Sequence, residues 1–160
     1  MNQVITERLQ ARFPASVRGS EEFRNDLTVT VRTADLPAVA QFLKDDPTLA
    51  FDMLIDIVGV DRFREAERFE VNYTLYSLEH KKYLRLKVLV NEEDPTVPTL
   101  TGVWPGANWH ERETFDMFGI KFAGHPDLRR LYMPEEFEYF PLRKDFPLMG
   151  IPDSLPLPRR

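Results

Sequence analysis

Residues 69–90 read FEVNYTLYSLEHKKYLRLKVLV. Phe69, Val71, Tyr73 and Leu75 alternate with Glu70, Asn72, Thr74 and Tyr76, and Leu84, Leu86, Val88 and Val90 repeat the spacing after the short HKK turn. A period of two puts each apolar set on one face of a strand, so the stretch predicts an antiparallel pair with one greasy side. Such a face must be covered by other elements, and those are sought on either side.

Upstream, residues 51–60 predict a third strand, joined to the pair through the charged link DRFREAER. Leu27, Val29 and Val31 alternate as well, and residues 17–24 can pair with them across an Asn25-Asp26 turn. Two helices are predicted. Residues 3–13 place Val4, Ile5, Leu9 and Phe13 at helical spacing before Pro14; the second starts from an Asp35 cap with Pro37 in its first turn and ends at Asp45-Asp46-Pro47. Leu36, Val39, Ala40 and Leu43 line one side of that helix. The order α-β-β-α-β-β-β predicts an α+β fold, a mixed or antiparallel sheet with helices packed on one face.

The chain has 160 residues and a net charge of -5, which fits one domain and excludes a dominant basic surface for nucleic acid. With no cysteine there is no disulfide, no thiol nucleophile and no ordinary iron–sulfur ligation. The longest apolar run, LAFDMLIDIVGV, is short and carries Asp52 and Asp56, and the N-terminus has no signal-peptide core. A soluble chain is expected, reaching a membrane only through a partner. No Gly-rich phosphate loop and no nucleophile elbow is present.

Charges and aromatics crowd residues 111–130, ERETFDMFGIKFAGHPDLRR. A third helix is predicted from an Asn108 cap, with Glu111 returning the bond and Gly119 closing the C-terminus. His110-Glu111 begins like a zinc-protease motif, but Thr114 stands where the second histidine belongs, so no metal site is expected. Glu111, Glu113, Asp116 and Asp127 are candidate acids. On a helix, Glu111 shares a face with Phe115 and Phe118, while Arg112 and Glu113 flank Asp116, so the acids do not converge as a catalytic pair would. Charges on every face of a helix imply enclosure and pairing, and Arg129, Arg130, Arg143 and Lys144 are the basic groups suited to it.

The last third differs in kind. Seven of the 13 prolines lie in residues 126–160, which argues against long helices, yet residues 115–146 hold eight of the 19 aromatics, which argues against a solvated tail. An extended segment lying on a surface is predicted. Its aromatics, Tyr132, Phe137, Tyr139, Phe140 and Phe146 among them, approach the roughly 800 Å² per partner of a standard interface.

ERETFDMFGIKFAGHPDLRRL at 111–131, followed by PLRKDFPL at 141–148, resembles the signature of the C subunit of NADH-quinone oxidoreductase, respiratory complex I. The resemblance covers the last third closely and the preceding α+β pattern more loosely. It departs at Tyr139-Phe140, where many members carry a glycine-containing turn. Many members are also longer or fused to the next subunit. The resemblance implies a non-catalytic subunit of the peripheral, cytoplasmic arm, supporting assembly of the quinone-reducing module. It implies that the chain binds no cofactor, with NADH, FMN, iron–sulfur clusters and quinone handled by other subunits. The main partner implied is the large D subunit of complex I, homologous to the hydrogenase large subunit, with the iron–sulfur B and I subunits nearby. The family's motif falls here on Glu111, Arg112, Glu113, Asp116, Gly119, His125, Pro126, Arg129 and Arg130, then on Pro141, Leu142, Arg143, Lys144, Asp145, Phe146 and Pro147. Residues 1–125 are expected to be the globular domain and 126–160 a tail docking on partner subunits. The alternative is the equivalent subunit of a related membrane-bound hydrogenase or other quinone-type dehydrogenase complex.

Overall fold

The computed structural model describes residues 1–150; the last part of the expected tail, 151–160, lies outside the described residues. Helix α1 spans Asn2–Arg12 and is followed by the strands β1, Val17–Phe23, and β2, Asp26–Val31. A single 3-10 turn, Thr33–Asp35, leads into α2, Leu36–Asp45. Three long strands come next: β3, Met53–Asp61, β4, Phe69–Ser77, and β5, Lys82–Val90.

The five strands form one sheet in the order β1-β2-β5-β4-β3. β3, β4 and β5 are the expected antiparallel meander, with Phe69 opposite Val90 and Leu75 opposite Leu84. β2 joins β5 in parallel, Leu27 opposite Leu84, which makes the sheet mixed. Alternation then does what the sequence pattern implies. Val29, Val31, Val71, Tyr73, Leu75, Leu86 and Val88 are buried in one core with Ile5 and Leu9 of α1 and Leu36, Val39, Ala40 and Leu43 of α2. The opposite side, with Asn72, Thr74, Arg85 and Lys87, lines an open polar groove, as antiparallel sheets commonly do.

Several local expectations are corrected. The hairpin turn is Arg24-Asn25, not Asn25-Asp26: both turn residues have positive φ, 50° and 69°, the backbone that a two-residue hairpin loop requires. Asp35 stands at the cap position of α2 but caps nothing, because its carboxylate goes to Arg32 at 2.7 Å. Val4, expected on the apolar side of α1, is exposed.

A second, small sheet escaped the sequence pattern. β6, Thr96–Pro98, pairs in parallel with β7, Lys121–Ala123, and the helix α3, Ala107–Phe118, lies between them in the chain. Both ends of α3 are thereby tied together. The helix crosses β3 at Gly59, where an added Cβ would stand 2.7 Å from the Phe118 ring. Thr114 Oγ1 donates to the Ile57 carbonyl at 3.3 Å. Among the described residues no helix is long and apolar enough to cross a membrane.

Candidate functional site

α3 begins one residue before Asn108, with Gly106 at the cap position and no side-chain cap bond, so the expected capping box does not form. Glu111 instead turns inward and is fully buried. Its carboxylate accepts the Leu100 N–H at 2.7 Å and the Thr99 hydroxyl at 2.5 Å. The β6–β7 pairing fixes this loop beneath the helix, and a tertiary donor pair outcompetes the helix's own amides. Burial raises the Glu111 carboxyl to about 7, against the pull of those two donors. Tyr73 of β4 is buried beside it with a hydroxyl that has no hydrogen-bond partner among the described residues, and burial and the Glu111 charge both push that phenol up.

The His125 ring is also fully buried, with Nε2 3.9 Å from Glu111 Oε2. The Asp127 N–H donates to Nδ1 at 3.0 Å, which leaves Nε2–H to donate to the Asn108 carbonyl at 3.1 Å. His125 thus ties the start of residues 126–150 to the first turn of α3.

Asp116, also fully buried, organises the next stretch. Its Oδ2 accepts three successive amides, Leu131 at 3.0 Å, Tyr132 at 2.7 Å and Met133 at 3.0 Å. Arg130 Nη1 donates to Oδ1 at 2.8 Å. Burial works to raise this carboxyl, but the Tyr132 and Met133 amides, Arg130 and the Leu131 amide outweigh it and hold it below the usual range. The arginine pairing expected for an enclosed helix is realised here, between Asp116 and Arg130.

The other basic residues behave differently. Arg112 stacks on Trp109 at 5.0 Å and donates to the carbonyls of Arg129 and Arg130. Arg129 pairs with Asp127 at 2.8 Å on the surface, and Glu113 and Pro126 are exposed. Arg143 pairs with no carboxylate among the described residues: its Nε–H donates to the Phe118 carbonyl at 2.6 Å, at the negative end of α3. Its guanidinium lies 4.6 Å from the Phe140 ring centre and 5.1 Å from that of Phe69. Burial, then the nearby Arg68 charge, lowers the Arg143 pKa.

Gly119 closes α3 with φ 75°, as its residue type implies. It is also a point of close approach, since a Cβ there would sit 2.6 Å from Phe140 and 2.7 Å from Arg143 Nη2. Phe140 stands edge-on to Phe115 with Arg130 at 5.2 Å and fills the space that Gly119 leaves. Pro141 is half-buried, and the Leu142 N–H donates to the Met117 carbonyl at 3.1 Å while its side chain is exposed. The Lys144 N–H, not its ammonium, reaches Asp61 Oδ2 at 2.8 Å. Asp145 pairs with Arg68 at 3.0 Å, and Phe146 and Pro147 line a cavity of about 480 Å³ with Tyr139, Phe140 and Arg143.

Asp61, Arg68, Thr99, Tyr73 and Phe140 take part in this arrangement and were not singled out by motif. Tyr73 was legible as a strand residue and Phe140 as a tail aromatic, while Asp61 and Arg68 read locally as the ends of a charged link between strands. The result is a set of buried acids saturated by donors from their own chain. Neither this cavity nor that of about 180 Å³ between β3, α3 and Leu142 is lined by Glu111, Asp116 or His125. Among the described residues no cluster of three or more His, Cys, Asp or Glu is placed to hold a metal.

Comparison with known proteins follows the same region. Residues 29–152 match the family model described as respiratory-chain NADH dehydrogenase, 30 Kd subunit. The chain is 54% identical, over 92% of its length and 84% of the relative's, to the NADH-quinone oxidoreductase C subunit of Roseiflexus sp. (strain RS-1). Among solved structures it is similar to a trypsin-resistant fragment (1-134) of Nqo5, with TM-score 0.68, 34% identity, and coverage of 80% of this chain and 100% of that one. A chain of the archaeal membrane-bound sulfane sulfur reductase shares the fold at TM-score 0.78 and 22% identity, covering 92% of this chain and 86% of that one.

Proposed function

Because the chain belongs to the respiratory-chain NADH dehydrogenase 30 Kd subunit family, the C subunits of NADH-quinone oxidoreductase, we propose that it serves that complex without chemistry of its own. It supports assembly of the quinone-reducing module of the peripheral arm, on the cytoplasmic side of the membrane. The large D subunit of complex I is its main neighbour, with the B and I subunits close by. NADH, FMN, iron–sulfur clusters and quinone are carried by other subunits. The names borne by the most similar relatives favour the NADH-linked complex over the hydrogenase alternative.

The observation that carries this reading is the use made of the family motif. Asp116, Arg130, Arg143 and Asp145 use their charges to hold residues 130–145 against the domain. The side turned outward sets apolar groups, Tyr132, Tyr139, Leu142, Leu148 and Met149, among the exposed acids Glu135, Glu136 and Glu138. A surface of this kind on a segment fixed from behind is suited to a protein partner. The domain of residues 1–125 is the platform and 126–160 the docking segment. That a shorter Nqo5 fragment resists trypsin is in keeping with such a division in that protein.

The test replaces Tyr139, Leu142, Leu148 and Met149 by polar residues in the full chain. The variant should keep the wild-type unfolding curve and lose co-purification with the D subunit from native membranes. Full-yield co-purification refutes the docking role.

A further inference from the structure

Besides the donors gathered at Asp116, residues 144 and 145 make a second contact with the domain. Arg68, at the threshold of β4, has a side chain only 4% exposed, and Asp61, at the end of β3, is fully enclosed. The two meet through both ends of the guanidinium fork, Nε to Oδ1 at 3.0 Å and Nη2 to Oδ2 at 2.7 Å. The remaining donor, Nη1, is shared between Glu92 at 2.6 Å and Asp145 at 3.0 Å. Asp61 in turn accepts the Lys144 N–H at 2.8 Å and the Phe63 N–H at 2.8 Å. The guanidinium lies 5.1 Å from the ring centres of both Phe63 and Phe69. A buried pair in the globular domain therefore binds one backbone amide and one carboxylate of consecutive residues that come 83 and 77 positions later.

We propose that Asp61 and Arg68 form a cradle that seats residues 143–145 before any partner protein arrives, so that the exposed Tyr139 and Leu142 meet the partner already in docking shape. This rests on the docking role given to the segment above; the seat itself does not. The cradle is built within the domain, because β3 and β4 are paired antiparallel up to Asp61 and Phe69. An extended proline-bearing segment has no helix or sheet ladder of its own to order it. Seating it in advance moves the ordering cost out of the binding step. The apparent dissociation constant scales inversely with the seated fraction, so a tenfold drop in that fraction weakens docking tenfold. Arg68 then acts as a positioning residue, through the segment and without touching the partner. The charges agree with a seat held firmly at neutral pH. Burial raises the Asp61 carboxyl, but Arg68 and the Lys144 and Phe63 amides bring it down to about 2, and Arg68 holds Asp145 below its ordinary value.

The test uses the full chain with Asp145→Asn, a change in the segment that leaves the buried pair intact, and Arg68→Lys, which keeps the charge and loses the fork. Hydrogen exchange is read at the Lys144 amide against Val71 in β4, and incorporation is measured into complex stripped of this chain. Each variant should speed Lys144 exchange at least about tenfold with Val71 unchanged, and weaken incorporation by a similar factor. The double variant should be no worse than Arg68→Lys alone. Wild-type Lys144 exchanging as fast as an unstructured peptide overturns the proposal. So does faster exchange in the variants with unchanged incorporation. Failure of the outward-surface variants described above would overturn the docking role and leave the seat standing.

Discussion

Asp116→Asn is the sharpest single test of how the chain holds residues 130–133. The wild-type carboxylate is fully buried and takes four donors, Arg130 and the amides of Leu131, Tyr132 and Met133. Asparagine keeps the shape and one acceptor oxygen but turns an NH₂ toward groups that are themselves donors. Removing one member of a buried charged pair typically costs about 3–5 kcal/mol, a large part of the roughly 5–15 kcal/mol that holds a domain together. Part of the loss should be local, because the segment can lift away before the sheet unfolds. Urea denaturation of wild type and variant gives the global cost, and hydrogen exchange at residues 131–133 gives the local one. Trypsin supplies a third reading, since Arg129 and Arg130 become cleavable once the loop opens. The pH dependence has a definite sign. The native carboxyl sits below its ordinary 3.8, so its contribution is complete above that pH and is lost as the pH falls through the native value. The variant lacks this acid-labile contribution. A variant within about 0.5 kcal/mol of wild type, with the three amides still protected, would refute the latch.

Glu111→Gln should behave in the opposite sense. The native Glu111 is raised from 4.5 to about 7, so its stabilising protonated form is fully effective below pH 4.5 and its contribution is lost as the pH rises to about 7. Subtracting the variant's stability curve from the wild type's should expose a fall of roughly 3 kcal/mol across that window; a flat difference refutes the burial argument. Gly119→Ala forces a side chain to φ 75° and to 2.6 Å from Phe140. It should cost about 1–3 kcal/mol in urea denaturation, and Phe140→Leu in the same chain should recover part of the loss. Strict additivity of the two changes would show that Phe140 is not the obstacle.

What could be read from the chain itself was whatever depends on near neighbours. Alternation in residues 69–90 sufficed for β4, β5 and the face they bury, because a strand's period is a property of its backbone. The same holds for Gly119, whose residue type alone implies a left-handed helix end. The motif of residues 111–148 was likewise legible as a pattern, and it pointed to the family before any contact was known. Pairing of charges on this helix was inferable too, and Asp116 with Arg130 meets it, although Trp109 and Glu113 leave the helix open on one side.

Only the tertiary structure decided where those charges go. Glu111 reads locally as the second half of a capping box, yet donors at Thr99 and Leu100, brought beneath α3 by the β6–β7 pairing, take its carboxylate. Asp61 and Arg68 read as the ends of a charged link, and it is the fold that brings Lys144 and Asp145 back onto the pair from far along the chain. The parallel pairing of β2 with β5 sets a mixed sheet that alternation cannot distinguish from an antiparallel one. Periodicity and residue type fix local conformation because they act over a few bonds. A hydrogen bond or ion pair is set by which donors the fold delivers, and that is decided by loop closure and burial across the whole domain.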